Sequence, residues 1–233
     1  MRTNALVLLC LAALVAAPAG VGQSAGSSPA GSEPASQDAV FQIDFSNPGL
    51  SPSHWVLTIY PDGNGHFHSE RGDVPAGNLQ SMQVPNVDRA VNLSKEFAER
   101  VFETVRRHNL FSDGCESNTK VAFQGMKTLS YRGPLGQGSC QYNYSKHKEI
   151  QALGDSLISV AETIVEGARL EMLLQHDRLG LDRETEFLVE AAGDGRAQQI
   201  CVIRGILERL AEDQGVMERV RRRARELLAR SDG

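Results

Sequence analysis

The sequence predicts an α+β protein, in which a small antiparallel sheet with one packed helix is followed by a helical C-terminal subdomain. Short segments that alternate apolar and polar residues are concentrated in residues 39–148, and this period of two is typical of half-buried strands. From residue 149 to the end at residue 233, apolar residues instead recur at helical spacing, which is typical of amphipathic helices. These patterns predict a strand-rich domain at 39–148 and a helical subdomain at 149–233.

The N-terminal 38 residues are predicted to lie outside the folded domain. Residues 1–19 combine a basic residue, an apolar run and the small-residue motif Ala17-Pro18-Ala19, which is typical of a signal peptide. The apolar run is too short to cross a bilayer as a helix. Residues 20–38 are rich in Gly, Ser, Ala and Pro and are predicted to be a disordered linker. We therefore expect an exported protein, periplasmic or secreted, with no membrane span after signal cleavage.

Two hairpins are predicted in the strand-rich domain. The loop of the first, residues 61–65, contains Asp-Gly and Asn-Gly pairs, which supply the positive φ angles of a tight reversal. This loop places Phe67 opposite Ile59 and puts His66 and His68 on the other face of the strand. The predicted strands are 41–45, 55–60, 66–69, 80–84, 120–123, 126–131 and 140–144, the last two joined by a loop at 133–138.

Helix signals begin at Ser94, which is predicted to cap a helix that ends near His108. In the helical subdomain, a long apolar stripe covers residues 150–174. Gly180 is expected to end that segment and Asp182 to cap the next helix. Two further helices are predicted after the breaks at 193–195 and 214–215.

The charge and the motif content exclude several classes of function. The chain has 24 Lys and Arg residues against 29 Asp and Glu residues, a formal net charge of −5. Nucleic-acid binding relies on basic charge, so no nucleic-acid partner is expected. The sequence contains no P-loop, dinucleotide fingerprint or nucleophile elbow. We therefore expect no cofactor.

Three of the four cysteines lie beyond the predicted signal peptide. Cys115 and Cys140 both fall in the strand-rich domain, and export favours their oxidation to a disulfide. Such a bond closes a loop of about 25 residues and contributes about 3.5 kcal/mol on chain-entropy arithmetic. Free thiols are the alternative. Cys201 lies among apolar helical residues and is predicted to be a buried, inert thiol.

The candidate site residues lie around the first hairpin. His66 and His68 have a spacing that can chelate a metal, but zinc needs three or four ligands. No further ligand motif is present, so two surface histidines are favoured and no metal site is predicted. Asp62 starts a segment similar to a calcium loop, although a hairpin turn explains it better. With Glu70, these residues are the candidate contributors to a hydrolytic site that forms only in the fold.

The segment Trp55-Val56-Leu57-Thr58-Ile59-Tyr60-Pro61-Asp62-Gly63 resembles the opening of a family of uncharacterised exported bacterial domains. The resemblance extends to residues 127–131, 140–145 and 176–182. It implies an α+β domain of unknown function, and no activity, cofactor or catalytic residue comes with it.

The expected function is that of a non-enzymatic binding module or an envelope-associated accessory module, with an unknown protein or cell-envelope partner. This expectation rests on the lack of a recognisable set of acid, base, nucleophile and metal ligands. The alternative is a secreted hydrolase with a site formed only in the fold.

Overall fold

The computed structural model describes residues 39–70, 72 and 86–231. The strands are β1 (Val40–Ser46), β2 (His54–Ile59), β3 (Asn64–Glu70), β4 (Val87–Asn92), β5 (Met126–Gly133) and β6 (Gly136–Tyr142). The helices are α1 (Lys95–Arg107), α2 (Lys148–His176), α3 (Gly180–Asp194), α4 (Arg204–Glu212) and α5 (Glu218–Ser231). The strands form one antiparallel sheet in the order β4-β3-β2-β1-β5-β6. The predicted α+β fold, with its helical C-terminal region, is confirmed.

Three predicted segments fall wholly or largely outside the described residues. They are the signal peptide at 1–19, the linker at 20–38 and the strand at 80–84.

One face of the sheet is apolar and is covered by helices. Because alternate side chains of a strand point to the same face, β1 buries Phe41, Ile43 and Phe45. The same apolar cluster includes the inner face of α1 and the first half of α2. As predicted, Ser94 caps α1, since its Oγ accepts a hydrogen bond from the Phe97 backbone N–H at 3.2 Å. The other face of the sheet carries mainly polar side chains, with Val40, Val56 and Met126 among them.

The first hairpin has the predicted faces but a different register. Phe67 pairs with Leu57 and not with Ile59. The connection covers only residues 60–63, and Gly63 provides the positive φ of 87° that it needs. A register shift of two residues leaves every side chain on its face. The two histidines of β3 therefore still lie on the face opposite Phe67.

The strand predicted at 120–123 is wrong, because this segment is irregular. The side-chain amide of Asn143 satisfies its backbone in place of a neighbouring strand. Asn143 Oδ1 accepts from the Gln124 N–H at 2.7 Å, and Asn143 Nδ2 donates to the Ala122 carbonyl at 3.1 Å. This short apolar segment therefore joins no sheet.

β4 is an additional strand that the sequence-based prediction lacks. It pairs with β3 and buries Val87 and Val91 on the helix-covered face.

The second hairpin is tighter than predicted, because Gly133 pairs directly with Gly136 and leaves a two-residue turn. The strands thus extend into the segment that was expected to be a loop.

The predicted disulfide between Cys115 and Cys140 is present. The two Cα atoms are 5.6 Å apart, within the usual range for a disulfide, and both residues are buried in the sheet-side apolar cluster. Cys201 is a free thiol that is half-buried and not fully buried. Burial raises the pKa of the Cys201 thiol, which agrees with the predicted low reactivity.

The start of α3 differs from the prediction. Gly180 begins α3 and does not end the preceding helix. The Oδ1 atom of Asp177 accepts from the backbone N–H groups of Leu179 and Gly180, both at 3.2 Å. Asp182 lies inside the first turn, where an acidic side chain is favoured by the helix dipole, and accepts from Arg223 Nη1 at 2.8 Å.

Two buried apolar clusters divide within α2. The sheet-side cluster includes α2 residues up to Ala168, and the second cluster begins at Leu170 and joins α2 to α3, α4 and α5. A domain boundary at 148/149 stays a prediction. Within the described ranges, no helix combines the length and the apolarity that a membrane span requires.

Candidate functional site

Histidine and carboxylate side chains alternate along the uncovered face of the sheet. Successive nitrogen–oxygen distances are 3.2, 3.8, 3.8, 3.1 and 2.9 Å along the row Asp44, His54, Glu70, His68, Asp88 and His66. We call these six residues the imidazole–carboxylate row. The antiparallel register builds it, because His68 pairs with Asp88 and His54 with Glu70 on neighbouring strands.

The row contains three of the four candidates proposed from the sequence. His66, His68 and Glu70 are brought together, but their side chains are 43–63% exposed. Asp62 is separate, in the hairpin turn, where its carboxylate accepts from the Asn64 backbone N–H at 2.9 Å. Among the described residues, no three His, Cys, Asp or Glu side chains are arranged to hold a metal ion.

A cavity of about 400 Å³ lies on the covered side of the sheet, between the β1–β2 connection and helices α2 and α3. We call it the cleft. Its volume is in the range of small-molecule binding sites. Its apolar walls are formed by Phe45, Leu50, Trp55, Ile158, Phe187 and Leu188.

Stacked rings and small residues both line the cleft. The ring of Phe45 stacks on that of Trp55, with centroids 5.1 Å apart. Helices α2 and α3 contribute Ala161 and Ala191 to the lining beside their larger apolar residues, and Ala197 follows in the next connection.

Glu166 is the central polar residue of the cleft. It is 7% exposed, and its Oε1 atom has no hydrogen-bond partner. Its Oε2 atom lies 3.6 Å from Arg169 Nη1, and the same guanidinium nitrogen lies 3.4 Å from Glu184 Oε2. The Nε atom of Arg169 is also buried without a partner.

Burial raises the pKa of Glu166 to about 7. The guanidinium of Arg169 opposes the rise in pKa, and the neighbouring carboxylate of Glu184 adds to it. Burial therefore favours the protonated form of Glu166 up to neutral pH. Buried carboxylates whose pKa is shifted in this way cluster at functional sites.

Glu162 and Arg196 form a second polar pair in the cleft. Burial raises the pKa of Glu162, and the charge of Arg196 partly offsets the rise. The guanidinium of Arg196 lies 5.2 Å from the centroid of the Phe187 ring and binds Asp194 at 2.8 Å. This arrangement holds a cation over an aromatic side chain at the mouth of the cleft.

A second cavity, of about 470 Å³, lies on the uncovered face across β1, β5 and β6. Polar side chains such as Gln42, Ser130 and Gln137 line it, and no unpartnered buried group lies in it. Among the described residues, the cleft is therefore the stronger candidate.

None of the four sequence-predicted candidates lines the cleft. The signal that could have pointed to it is the pair Glu162 and Glu166, which lie four residues apart beside the apolar stripe of α2. Carboxylates at that spacing share a helix face. The partner residues come from positions as distant as Phe45 and Ala197, and the fold alone brings them together.

The fold and the site together define an α+β protein with a ligand-sized apolar cleft and a buried carboxylate. No family model matches the chain, and no curated protein is significantly similar to it. The resemblance to uncharacterised exported bacterial domains stays a prediction.

Proposed function

We propose that this chain is an exported, non-enzymatic binding module that holds a small, largely apolar ligand in the cleft. The observation that carries this proposal is the cleft itself, where the buried Oε1 of Glu166 has no partner. Buried polar atoms in folded proteins are nearly always hydrogen-bonded. A bound molecule that donates to this oxygen removes the cost of leaving it unpaired.

Export is the cellular context that fits this module. The disulfide between Cys115 and Cys140 is of a kind that persists in oxidising compartments, and residues 1–19 have the pattern of a signal peptide. We place the ligand in the cell envelope or in the surrounding medium for this reason.

The proposal is tested by titrating the protein with 1-octanol and following the fluorescence of Trp55. Trp55 is the only tryptophan of the chain and lines the cleft, so its emission reports on occupancy. Leu50 and Phe187 are exposed apolar wall residues. The double variant Leu50→Ala/Phe187→Ala is expected to bind about 30-fold more weakly, because about 1 kcal/mol of apolar contact is lost at each of the two walls.

A matched control uses two exposed apolar residues outside the cleft. The double variant Phe123→Ala/Leu135→Ala removes comparable side chains and is expected to bind 1-octanol as the unmodified protein does. A titration without saturation contradicts the proposal, and so does equal weakening in the two double variants.

Hydrolysis is a second candidate function, which the raised pKa of Glu166 favours. A carboxyl group with a pKa of about 7 is suited to general acid–base catalysis at neutral pH. In a hydrolase of this kind the general acid is Glu166, and not one of the candidates around the first hairpin that the sequence suggested. Release of p-nitrophenol from ester and glycoside substrates that Glu166→Gln abolishes supports hydrolysis, and equal background rates in both proteins reject it.

A further inference from the structure

We propose that the cleft selects ligands with a protonated amine on an apolar body, and that the ammonium group binds beside Glu166. This inference rests on the proposed function and adds the chemical class of the ligand. It follows from the balance of charge in and around the cleft.

The charged side chains around Glu166 carry an excess of one negative charge. Two carboxylates, Glu166 and Glu184, share the single guanidinium of Arg169, at 3.6 and 3.4 Å. When both carboxylates are ionised, the three side chains carry a net charge of −1. An uncompensated charge is costly in a buried site, so the empty cleft takes up a proton instead.

The remaining charges near the cleft do not cancel this excess. On α2, Glu162 lines the cleft, and the charge of Arg196, which follows α3, only partly offsets the rise of its pKa. Arg196 is already paired with Asp194, so it supplies no spare positive charge. The β1–β2 connection, residues 47–53, contains no titratable side chain. The excess negative charge is therefore left for the ligand to compensate.

An ammonium group meets two requirements of the site, a positive charge and a hydrogen-bond donor beside Glu166. It supplies the positive charge that the proton supplies in the empty cleft, and it lies next to a carboxylate whose Oε1 has no hydrogen-bond partner. Hydrogen bonds between charged partners are about twice as strong as neutral ones. The apolar walls bind the rest of the molecule, and a volume of about 400 Å³ limits its size.

The test compares three compounds with the same apolar body, namely octylamine, 1-octanol and octanoate, by Trp55 fluorescence at pH 8. Octylamine is expected to bind at least about tenfold more tightly than 1-octanol, and octanoate most weakly. In Glu166→Gln the preference for octylamine over 1-octanol is expected to fall below about threefold. Glu190→Gln, which alters an exposed glutamate of α3, is expected to keep the full preference.

A second measurement uses the unmodified protein alone. Because octylamine takes the place of the proton on Glu166, its binding at pH 7 is expected to release a fraction of a proton. Calorimetric titrations in two buffers with different ionisation enthalpies measure this release. Binding of 1-octanol is expected to release none.

The outcomes separate this inference from the proposed function. Equal binding of octylamine and 1-octanol, or no proton release with octylamine, overturns the amine selectivity and leaves the binding module in place. Tighter binding of octanoate also overturns it. Failure of all three compounds to bind contradicts the proposed function as well.

Discussion

Replacement of Glu166 by glutamine is expected to make the protein relatively more stable as the pH rises. The carboxyl group has a pKa of about 7 in the folded protein against 4.5 for an unperturbed glutamate. Between these two values the unfolded chain has released the proton and the folded chain still holds it. Stability therefore falls as the pH rises from 4.5 to about 7, and the loss is complete above that value.

The size of the effect follows from the two pKa values. One pKa unit corresponds to about 1.4 kcal/mol. For a shift from 4.5 to about 7, titration of Glu166 between pH 5 and pH 8 removes about 2–3 kcal/mol from the free energy of unfolding. Glutamine does not titrate. The variant is thus expected to gain about 2–3 kcal/mol on the unmodified protein between the two pH values.

Urea unfolding at pH 5 and pH 8, followed by Trp55 fluorescence, measures this difference. Groups that titrate equally in both proteins cancel in the comparison. Glu190→Gln is the matched control, because its carboxylate is exposed and its effect is expected to be the same at both pH values. If the stability difference between Glu166→Gln and the unmodified protein does not change with pH, or changes in the opposite direction, the buried-carboxylate argument is wrong.

Two further predictions concern the fold. Cys115→Ala/Cys140→Ala is expected to lower the free energy of unfolding by about 3.5 kcal/mol under oxidising conditions, and no loss in urea unfolding would contradict a structural role for the disulfide. Gly205→Ala in α4 adds a methyl group with no heavy atom within 4 Å and is expected to stabilise by up to about 1 kcal/mol. The same change at Gly167 in α2 brings Cβ onto the Ile203 side chain and is expected to destabilise by about 1–3 kcal/mol, so equal midpoints for these two alanine variants would refute the packing argument.

Local signals were sufficient for much of the fold. The alternation at 41–45 predicts β1, and Ser94 marks the start of α1. The strand predicted at 120–123 was wrong because a short apolar segment does not show whether a partner strand is available. There the amide of Asn143 replaces that partner.

The cleft could not be predicted in the same way, because its walls come from four parts of the chain. The sequence pattern predicts Phe45 and Trp55 to be core residues of strands. It predicts Ala161 and Ala191 to be ordinary positions in the apolar stripes of helices. Each is consistent with packing alone. A cavity is a mismatch of volume between such elements, and no local pattern records it.

The free energy that ionisation of Glu166 costs the empty protein also limits what a bound ammonium group can gain there. A shift from 4.5 to about 7 means that ionising Glu166 costs the folded protein about 3 kcal/mol. A ligand ammonium that compensates this charge can return at most about that amount. The preference for octylamine over 1-octanol at pH 8 thus has a ceiling on the order of 100-fold from this source. Because the ionised carboxylate is what the amine recognises, the preference is expected to shrink below pH 7, where a proton already occupies the site.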